Sequence, residues 1–478
     1  MKIARFSVPI LLLLLTVSCN GQSKQYLFNT EGKQIKSNNN DVIVIDKIID
    51  LAGETMKLPA CSKVVFEGNG SIRNGRVLVD LKTNCIEGGR GIFYNIELLP
   101  CNKVNNIIKS PLKEIDARWF GVLSDENYDN TSSIQRAIDA GHAFAIPVLI
   151  PRGYYCINNT LKLYDGDVLK GEYSGRITPN HQTGATFIRY KGKGKEILSV
   201  EGKYVTIENL LIAASTPYVV DGISLKGNAG LYFSLCNVLL VNTNRGICCT
   251  LGEGMGLSGC IFEKVSLWKC VRAFSFDMDE KAFGQYITYN NFYNVIVSNV
   301  KEIGAYFHCR AINSCVFRDC MFETIGYDAA YDKQYEKTDI SAIYAKNEAQ
   351  QGSIIIEGGY FENIYYSVGG EPSVSRDDSF NSIFFVDNIS LTVRNARFAN
   401  TRTVVKSVGL DNVYINNCID NGYYRKKLKN EVVLCYGTNN TVLEIDGYSI
   451  LNQNKKPSSL IGSNEALNKQ TIKNYRRN

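Results

Sequence analysis

The chain has 478 residues, 45% of them hydrophobic and 21% charged, a length that suits one long solenoid core or two ordinary domains. Its 53 Lys and Arg against 47 Asp and Glu give a formal net charge of +6, an excess too small to indicate a nucleic-acid partner. Fifteen cysteines and three histidines occur without a Cys-x-x-Cys motif, which argues against a structural zinc site.

Residues 1–18 have the pattern of an export signal. Lys2 and Arg5 form a charged start, and the apolar run Val8–Val17 is too short to span a bilayer. The sequence TVSC that ends at Cys19 resembles the lipobox of bacterial lipoproteins. That resemblance implies cleavage before Cys19, acylation of this cysteine and a mature chain held to the membrane by lipid alone. The alternative is an ordinary secretory signal followed by an incidental cysteine.

We expect the anchored protein to face the periplasm or the cell exterior. In some Gram-negative bacteria an acidic run after the lipidated cysteine directs surface display. The residues after Cys19 are NGQSK, so the periplasmic side is favoured.

Short strand-like runs precede residue 112, namely VVFEGN, SIRNGRVLVD, NCIEGG and YNIEL. Such runs are typical of β-strands. We therefore predict a small N-terminal β-rich lead-in domain over residues 19–112, with a boundary near Ser110-Pro111.

The segment from Asp116 to Gly171 contains one predicted helix between strand-like runs. We predict that the helix covers residues 132–140, with Thr131 or Ser132 as its N-cap and Gly141 as its end. Its apolar face consists of Ile134, Ala137 and Ile138.

This segment resembles the opening motif of the pectate lyase superfamily of right-handed parallel β-helices. The shared features are a WFG strand, a T-x-x-I-Q-x-A-I helix and a P-x-G-x-Y strand, whereas residues 124–128 replace the usual Gly-Asp-Gly turn. In that superfamily the helix covers the open apolar end of the coil. The resemblance implies an all-β fold, a right-handed single-stranded parallel β-helix of the pectin-lyase-like type over residues 113–450. Fold alone does not determine the chemistry.

The last segment, residues 451–478, is predicted to be a polar, basic tail. It has few apolar residues, and its six Lys and Arg face only Glu465. A solvated end is favoured over a nucleic-acid site.

An internal repeat begins at Val205, where one polar residue recurs before each apolar strand. The repeated residues are Asn209, Asn237, Asn294, Asn395 and Asn417, with Lys264, Asp319 and Gly359 on intermediate rungs. We predict an asparagine ladder that hydrogen-bonds along the coil axis. The alternative is that asparagine is simply common in turns.

Each rung carries a second strand with period-two alternation. The predicted interior residues are Ile223, Leu225, Ile247, Cys249, Phe274, Phe276, Ala305, Phe307, Ile343, Ala345, Phe384 and Val386. The outward residues then form two columns, Ser275–Tyr306–Tyr344–Phe385 and Asp277–His308–Lys346–Asp387. Two residues further on are Asp279, Arg310 and Glu348. Neighbouring rungs lie ~4.8 Å apart, so we expect His308 to lie between Asp277 and Lys346.

Two rungs are lengthened at roughly residues 327–340 and 367–381, in segments rich in Tyr, Asp, Gly and Ser. We predict loops there that wall a groove over the polar columns. Such a groove suits a polysaccharide, because Tyr306, Tyr344 and Phe385 could stack on sugar rings beside the polar Asp387. The alternative is a solvated sheet face with ordinary charge ladders. A second functional hypothesis is a glycan-binding or structural surface lipoprotein that uses the same aromatic face without catalysis.

Two reactions fit the groove. β-Elimination of an acidic polysaccharide requires neutralisation of the sugar carboxylate and a base for the C5 proton. The neutralising candidates are Arg310, Lys346 and a Ca²⁺ ion held by Asp277 and Asp279. The candidate bases are His308 and Lys346, and the candidate proton donors are Tyr306 and Tyr344.

Hydrolysis requires two carboxylates that straddle the glycosidic bond. Asp279 and Glu348, two rungs or ~9.6 Å apart, are the predicted pair. Neither polygalacturonase motifs nor pectate-lyase-like calcium motifs are recognisable, so the sequence leaves the reaction open. It implies no cofactor beyond the Ca²⁺ considered above, and it leaves the oligomeric state open.

Two further expectations concern single residue types. Cys309 and Cys315, or the neighbourhood of Cys248-Cys249, are the candidates for a disulfide. His308 is predicted to be the most function-sensitive residue, because its neighbours could bring its pKa near neutrality. We expect His308→Ala to remove activity with little change in the thermal midpoint.

Overall fold

The computed structural model describes residues 24–27, 41–80, 85–101, 112–173, 184–326, 339–348, 352–365, 367–368, 371–372, 381–401, 403–421, 433–436, 442–450, 461–462, 469–473 and 476–477. The predicted export signal, Cys19 and the predicted boundary at Ser110-Pro111 lie outside these residues. So does most of both predicted groove loops.

The chain divides into two compact units. The first comprises Met1–Lys113 with Arg118–Gly121, and the second comprises Glu114–Ala117 with Val122–Asn478. The first unit is β-rich, and its strands pair in parallel within two sheets. Its strands are Lys24–Tyr26, Val42–Ile45, Ile48–Asp50, Thr55–Lys57, Lys63–Phe66, Ser71–Val79, Cys85–Glu87 and Phe93–Pro100.

The second unit is a right-handed parallel β-helix, as predicted. Its coils follow one another through three long parallel sheets, named here sheets A, B and C. Sheet A contains Asp125–Asp129, Gly153–Ile157, Thr186–Tyr190, Leu210–Ala214, Leu239–Val241, Ser266–Trp268, Ile296–Val300, Met321–Ile325, Tyr360–Ile364, Arg397–Ala399, Ile419–Asp420, Ser449–Ile450 and Arg476–Arg477.

Sheet B contains Ile115–Asp116, Val148–Ile150, Val168–Gly171, Thr206–Glu208, Ser234–Cys236, Ile261–Glu263, Asn291–Tyr293, Cys315–Arg318, Gly352–Glu357, Ile389–Arg394, Asn412–Asn416, Val442–Asp446 and Lys469–Lys473. Sheet C contains Leu161–Leu163, Glu196–Val200, Asp221–Leu225, Arg245–Leu251, Arg272–Met278, Ile303–Cys309, Ile340–Asn347, Asn381–Asp387, Thr403–Ser407, Val433–Tyr436 and Ile461–Gly462.

The smaller elements lie between these sheets or on their connections. Gly256–Ser258, Tyr286–Thr288 and Ala311–Asn313 form a short parallel sheet, and Ser367–Val368 pairs antiparallel with Glu371–Pro372. Two 3-10 turns cover Ala117–Phe120 and Gly227–Gly230. No helix in the described part of the chain is long and apolar enough to cross a membrane.

The coil extends past its predicted end at residue 450. Ile461–Gly462, Lys469–Lys473 and Arg476–Arg477 each add a parallel strand to one of the three sheets. A parallel sheet edge offers unpaired backbone groups to any extended segment that follows. A polar tail can therefore continue the coil.

The core of the coil is the one that alternation predicts. All twelve predicted interior residues of sheet C are at most 1% exposed. Stacked phenylalanine rings fill the interior, such as Phe262 on Phe292 and Phe292 on Phe317, with ring centroids 4.7 and 4.2 Å apart. Each coil therefore buries its apolar face against its neighbours.

The repeated polar position is a backbone turn from sheet B to sheet A. Asn209, Asn237 and Asn294 have φ of 59°, 53° and 53°, a left-handed conformation that asparagine and glycine adopt most cheaply. One link of the predicted ladder joins Asn237 Nδ2 to Asn209 Oδ1 at 2.9 Å. The rung assigned to Gly359 is shifted by one residue. Gly358 occupies the turn, because its N–H donates to Arg394 O as the other turn residues donate to the next rung.

The single α-helix of the described residues, α1, covers Thr131–Phe144 and is longer than predicted. Its N-cap is Asn130, which has no side-chain capping bond. Gly141 does not end the helix. It lies inside, where a Cβ would meet Val148 Cγ2 at 2.3 Å. The helix ends at left-handed Ala145, with hydrogen bonds from Ala145 and Ile146 N–H to His142 and Gly141 carbonyls.

The disulfide candidates are free thiols. Cys248, Cys249, Cys309 and Cys315 are all buried and unpaired to another cysteine. Burial raises the pKa of Cys248 to about 11 and that of Cys315 to about 12. They act as small apolar core residues rather than as reactive thiols.

Candidate functional site

The two predicted outward columns lie in register on sheet C. Ser275 pairs with Tyr306, Tyr306 with Tyr344 and Tyr344 with Phe385. In the second column the pairs are Asp277 with His308, His308 with Lys346 and Lys346 with Asp387. The predicted position of His308 between Asp277 and Lys346 is therefore confirmed.

The aromatic column is a continuous stack along the coil axis. The Tyr306 and Tyr344 ring centroids are 5.0 Å apart, and those of Tyr344 and Phe385 are 4.3 Å apart with planes within 3°. The rings therefore cover one another's faces. The predicted stacking of sugars on these faces does not fit this arrangement, and the tyrosine hydroxyls and ring edges are what remain for a ligand.

Two cations lie at the ends of this stack, and neither was among the predicted site residues. The Arg272 guanidinium lies 4.3 Å from the Tyr306 ring centroid and forms an ion pair with Glu302. Lys406 lies 5.3 Å from the Phe385 ring centroid and 3.0 Å from Asp339 Oδ1. Lys406 could have been found by extending the alternation by one rung. Arg272 could not, because both Ala273 and Phe274 are buried and strict alternation fails there.

His308 is clamped by two carboxylates. Its Nδ1 lies 2.9 Å from Asp277 Oδ1 and its Nε2 lies 3.0 Å from Glu348 Oε1. A neutral imidazole could donate to only one of them, so this geometry favours the imidazolium. The hydrogen bond to Asp277, followed by that to Glu348, raises the pKa of His308 despite its burial at 7% exposure.

Glu348 links the histidine to the lysine. Its Oε1 lies 2.6 Å from Lys346 Nζ as well as 3.0 Å from His308 Nε2. The Lys346 hydrogen bond, followed by the His308 hydrogen bond, lowers the pKa of Glu348, and the same contact raises the pKa of Lys346. At neutral pH the carboxylate is ionised and the amine is protonated.

The surroundings of Asp387 shift its pKa in the direction opposite to the shift of Glu348. Burial, followed by the nearby Asp411 carboxylate, raises the pKa of Asp387 even though Lys346 opposes the change. Among the described residues its carboxyl group makes no hydrogen bond or ion pair. Asp411 is itself buried and accepts hydrogen bonds from Ile389 N–H at 2.7 Å and Ser407 Oγ at 2.6 Å. Asp387 is thus a half-buried carboxyl group that retains its proton to higher pH than usual.

The two tyrosine hydroxyls of the stack are proton donors rather than bases. Burial raises the pKa of Tyr306 to about 12, and burial also raises the pKa of Tyr344. Both phenols are neutral at physiological pH, so each can donate a hydrogen bond to a ligand oxygen.

Asp279 and Arg310 do not join this cluster through any hydrogen bond in the described residues. Asp279 is exposed and accepts a hydrogen bond from Lys281 N–H within a turn. Arg310 Nε donates to Ala282 O, and its guanidinium lies 4.5 Å from the Phe283 ring centroid. Both side chains form hydrogen bonds with the loop that follows Asp277, because the strand Arg272–Met278 ends before Asp279. The described residues contain no group of three or more His, Cys, Asp or Glu that could hold a metal ion.

No protein-family model and no curated protein matches this chain. Solved structures of similar shape include the tailspike protein 2 enzymatically active domain of bacteriophage CBA120, at TM-score 0.47 and 11% identity, covering 75% of this chain and 47% of that one. The gp42 tailspike of Acinetobacter phage vb_AbaP_AS12 has TM-score 0.45 and 10% identity, covering 74% and 64%. The mannuronan C-5 epimerase A-module of Azotobacter vinelandii has TM-score 0.39 and 14% identity, covering 76% and 99%.

The fold of the second unit is a right-handed parallel β-helix. The chain spans 47% and 64% of the two tailspike chains that it resembles. Identities of 10% to 14% transfer no residue roles.

Proposed function

We propose that this protein binds a polysaccharide along the outer face of sheet C and hydrolyses it. The observation that carries the proposal is a pair of carboxyl groups, Asp387 and Glu348, whose surroundings move their pKa values in opposite directions. A carboxyl group with a raised pKa and a carboxylate with a lowered pKa are the two groups that glycoside hydrolysis requires.

The spacing of this pair is the test of an inverting reaction. Asp387 pairs with Lys346 across one strand spacing of ~4.8 Å, and Glu348 directly follows the end of the Lys346 strand. Inversion requires carboxyl groups about 6.5–9.5 Å apart, which leaves room for the attacking water, and we propose that this pair adopts that separation around the glycan. In this scheme Asp387 protonates the leaving oxygen, and Glu348 accepts the proton of the water.

Elimination is less well supported because its candidate bases are occupied. His308 has both ring nitrogens bound to carboxylates, and Lys346 is held by Glu348. The pKa of Lys346 is raised. Neither the imidazolium nor the ammonium group has a free lone pair with which to remove a C5 proton.

The second candidate function is glycan binding without cleavage. The occupied ring nitrogens of His308 favour it, because a charge ladder that links three strands stabilises a coil whether or not it is catalytic. In that case the Tyr306 and Tyr344 hydroxyls would contact the glycan, and the polar column would be a scaffold.

A screen of acidic and neutral polysaccharides separates these possibilities. Hydrolysis releases reducing ends without absorbance at 235 nm, whereas elimination produces unsaturated ends that absorb there. We expect reducing ends alone from at least one polysaccharide. Product absorbance would assign elimination instead, and retention of a glycan without any product would assign binding alone.

We also propose that the protein is a lipoprotein anchored through Cys19, with the periplasmic side favoured. The TVSC sequence after a short apolar run supports this. Replacing Cys19 with alanine should move the protein from the membrane fraction to the soluble fraction after export. Cys85→Ala is a matched control that should remain membrane-bound. A Cys19→Ala protein that stays in the membrane fraction would contradict the assignment.

A further inference from the structure

A second column of aromatic residues lies at the turn that precedes sheet B. The positions that follow one another along the axis are Gly166, Tyr204, Tyr232, Gly259, Tyr289 and Ser314. Each of the first five donates its backbone N–H to the residue before the next position, as with Tyr204 N–H to Leu231 O and Tyr232 N–H to Ser258 O. The three tyrosines of this turn are 59%, 55% and 67% exposed. We name Tyr204, Tyr232 and Tyr289 the tyrosine column.

The backbone of this turn does not favour tyrosine. Tyr204, Tyr232 and Tyr289 have φ of 58°, 57° and 57°, a left-handed conformation that costs energy for a bulky side chain. The equivalent turn from sheet B to sheet A meets the same requirement mostly with asparagine and glycine, as at Asn209 and Gly358. The coil therefore tolerates strain at three positions to keep exposed aromatic rings, which points to a role for the rings themselves.

Two of these rings stack on each other, with a glycine at the turn position on either side. The Tyr204 and Tyr232 rings are parallel within 3°, with centroids 5.1 Å apart. Gly166 lies on the rung before them and Gly259 on the rung after them. A Cβ at Gly166 would meet nothing within 4 Å, whereas a Cβ at Gly259 would lie 2.7 Å from Tyr232 Cδ1. The turn column thus places no side chain on the outer face of either ring.

Gly259 is the one turn position between Tyr232 and Tyr289. The backbone positions of the two tyrosines are two rungs, or about 9.6 Å, apart by strand spacing, which is about twice a stacking distance of ~4.5 Å. Ser258 and Thr288 lie directly before Gly259 and Tyr289, and their hydroxyls are 3.1 Å apart. Flat apolar faces beside hydroxyl groups match the alternating C–H and O–H groups of a pyranose.

We propose that the tyrosine column is a second carbohydrate-binding site, which holds pyranose rings of a polysaccharide by stacking at a turn separate from the cleavage site on sheet C. This deepens the proposed function and rests on its glycan-binding part, not on cleavage. Sheet C presents ring edges and charges, whereas this column presents ring faces. A polysaccharide held here would stay attached while the sheet C site acts on it. The tyrosine column would thus contribute retention, and the sheet C site would contribute cleavage.

The test replaces Tyr204, Tyr232 and Tyr289 with asparagine together. Retention is measured on immobilised homopolymers of glucose, mannose, xylose and galacturonic acid. We expect affinity for the retained polysaccharide to fall at least tenfold and the thermal midpoint to stay the same or rise, because asparagine relieves the left-handed strain. Tyr94→Asn, at a 56% exposed tyrosine in the first unit, is the control and should bind normally.

The outcomes distinguish this site from the one on sheet C. Wild-type retention by the triple variant would overturn the tyrosine column alone, whatever Asp387→Asn does to cleavage. A lower thermal midpoint in the triple variant would make the rings structural and also overturn it. Loss of self-association in the triple variant would identify an interface between copies instead. If the wild type retains no polysaccharide, this proposal and the glycan-binding part of the proposed function both fail.

Discussion

Replacing Asp387 with asparagine should lower hydrolysis of the identified polysaccharide by about 100-fold or more, because a positioned general acid contributes about 10²- to 10⁴-fold. Asparagine keeps the shape of the side chain and cannot supply the proton. Glycan retention should be unchanged. Reducing-end assays on the purified variant measure the effect, and Glu357→Gln on sheet B is a matched coil carboxylate that should keep full turnover.

The pH dependence follows from the same two groups. Asp387 must be protonated, so the rate should fall as the pH rises through its raised pKa. Glu348 must be ionised, so the rate should also fall as the pH drops through its lowered pKa. The folded pKa of Asp387 is raised, so the stability that its protonated form contributes is lost as the pH rises. The thermal midpoint of Asp387→Asn relative to wild type should therefore increase with pH. If Asp387→Asn retains more than a third of wild-type turnover, Asp387 is not the general acid.

Replacing His308 with alanine should destabilise the coil, in contrast to the small change expected from the sequence. The side chain is buried and joins Asp277 to Glu348, so its removal leaves two carboxylates facing each other without the cation between them. We expect the free energy of unfolding to fall by about 2 kcal/mol, below the full cost of a buried pair because both carboxylates are partly exposed.

The pH dependence of the thermal midpoint distinguishes the loss of these ion pairs from a simple packing defect. The raised pKa of His308 means that its contribution is full below the unfolded value of 6.5 and is lost as the pH rises through the folded pKa. The lowered pKa of Glu348 means that its contribution is full above 4.5 and is lost as the pH falls through the folded pKa. Wild type should exceed His308→Gln in thermal midpoint most between about pH 4.5 and 6.5. An equal difference at pH 5.5 and pH 9 would show that only packing is lost.

Sequence periodicity was sufficient to predict the register of the site. Alternation identified the interior residues, because a slip of one residue would turn the apolar side chains outward. The rung lengths then placed His308 beside Asp277. The same reasoning could not predict side-chain directions. Glu348 turns back to His308 and Lys346, whereas Asp279 and Arg310, two residues beyond the same column, join the following turn.

The turn residues show the same limit. Asparagine marked the left-handed position on five rungs, but at Gly358-Gly359 either glycine satisfies the pattern, and only the hydrogen bond to Arg394 O selects Gly358. The tyrosine column was missed because left-handed tyrosine has no sequence signature. Its turn can be recognised only after the coil aligns Tyr204 with Gly166 on one side and Tyr232 on the other.

The ion-pair cluster of Asp277, His308, Lys346 and Glu348, called here the ion clamp, also affects how the coil opens. Asp277, His308 and Lys346 lie on three successive strands of sheet C, and Glu348 closes the chain of contacts between the second and third. In a solenoid each coil touches only its neighbours, so the weakest junction between coils determines where the molecule separates. The clamp strengthens two consecutive junctions at mid-length. Amide hydrogen exchange should therefore be slowest around strands Arg272–Met278, Ile303–Cys309 and Ile340–Asn347, and opening should proceed inward from the two ends.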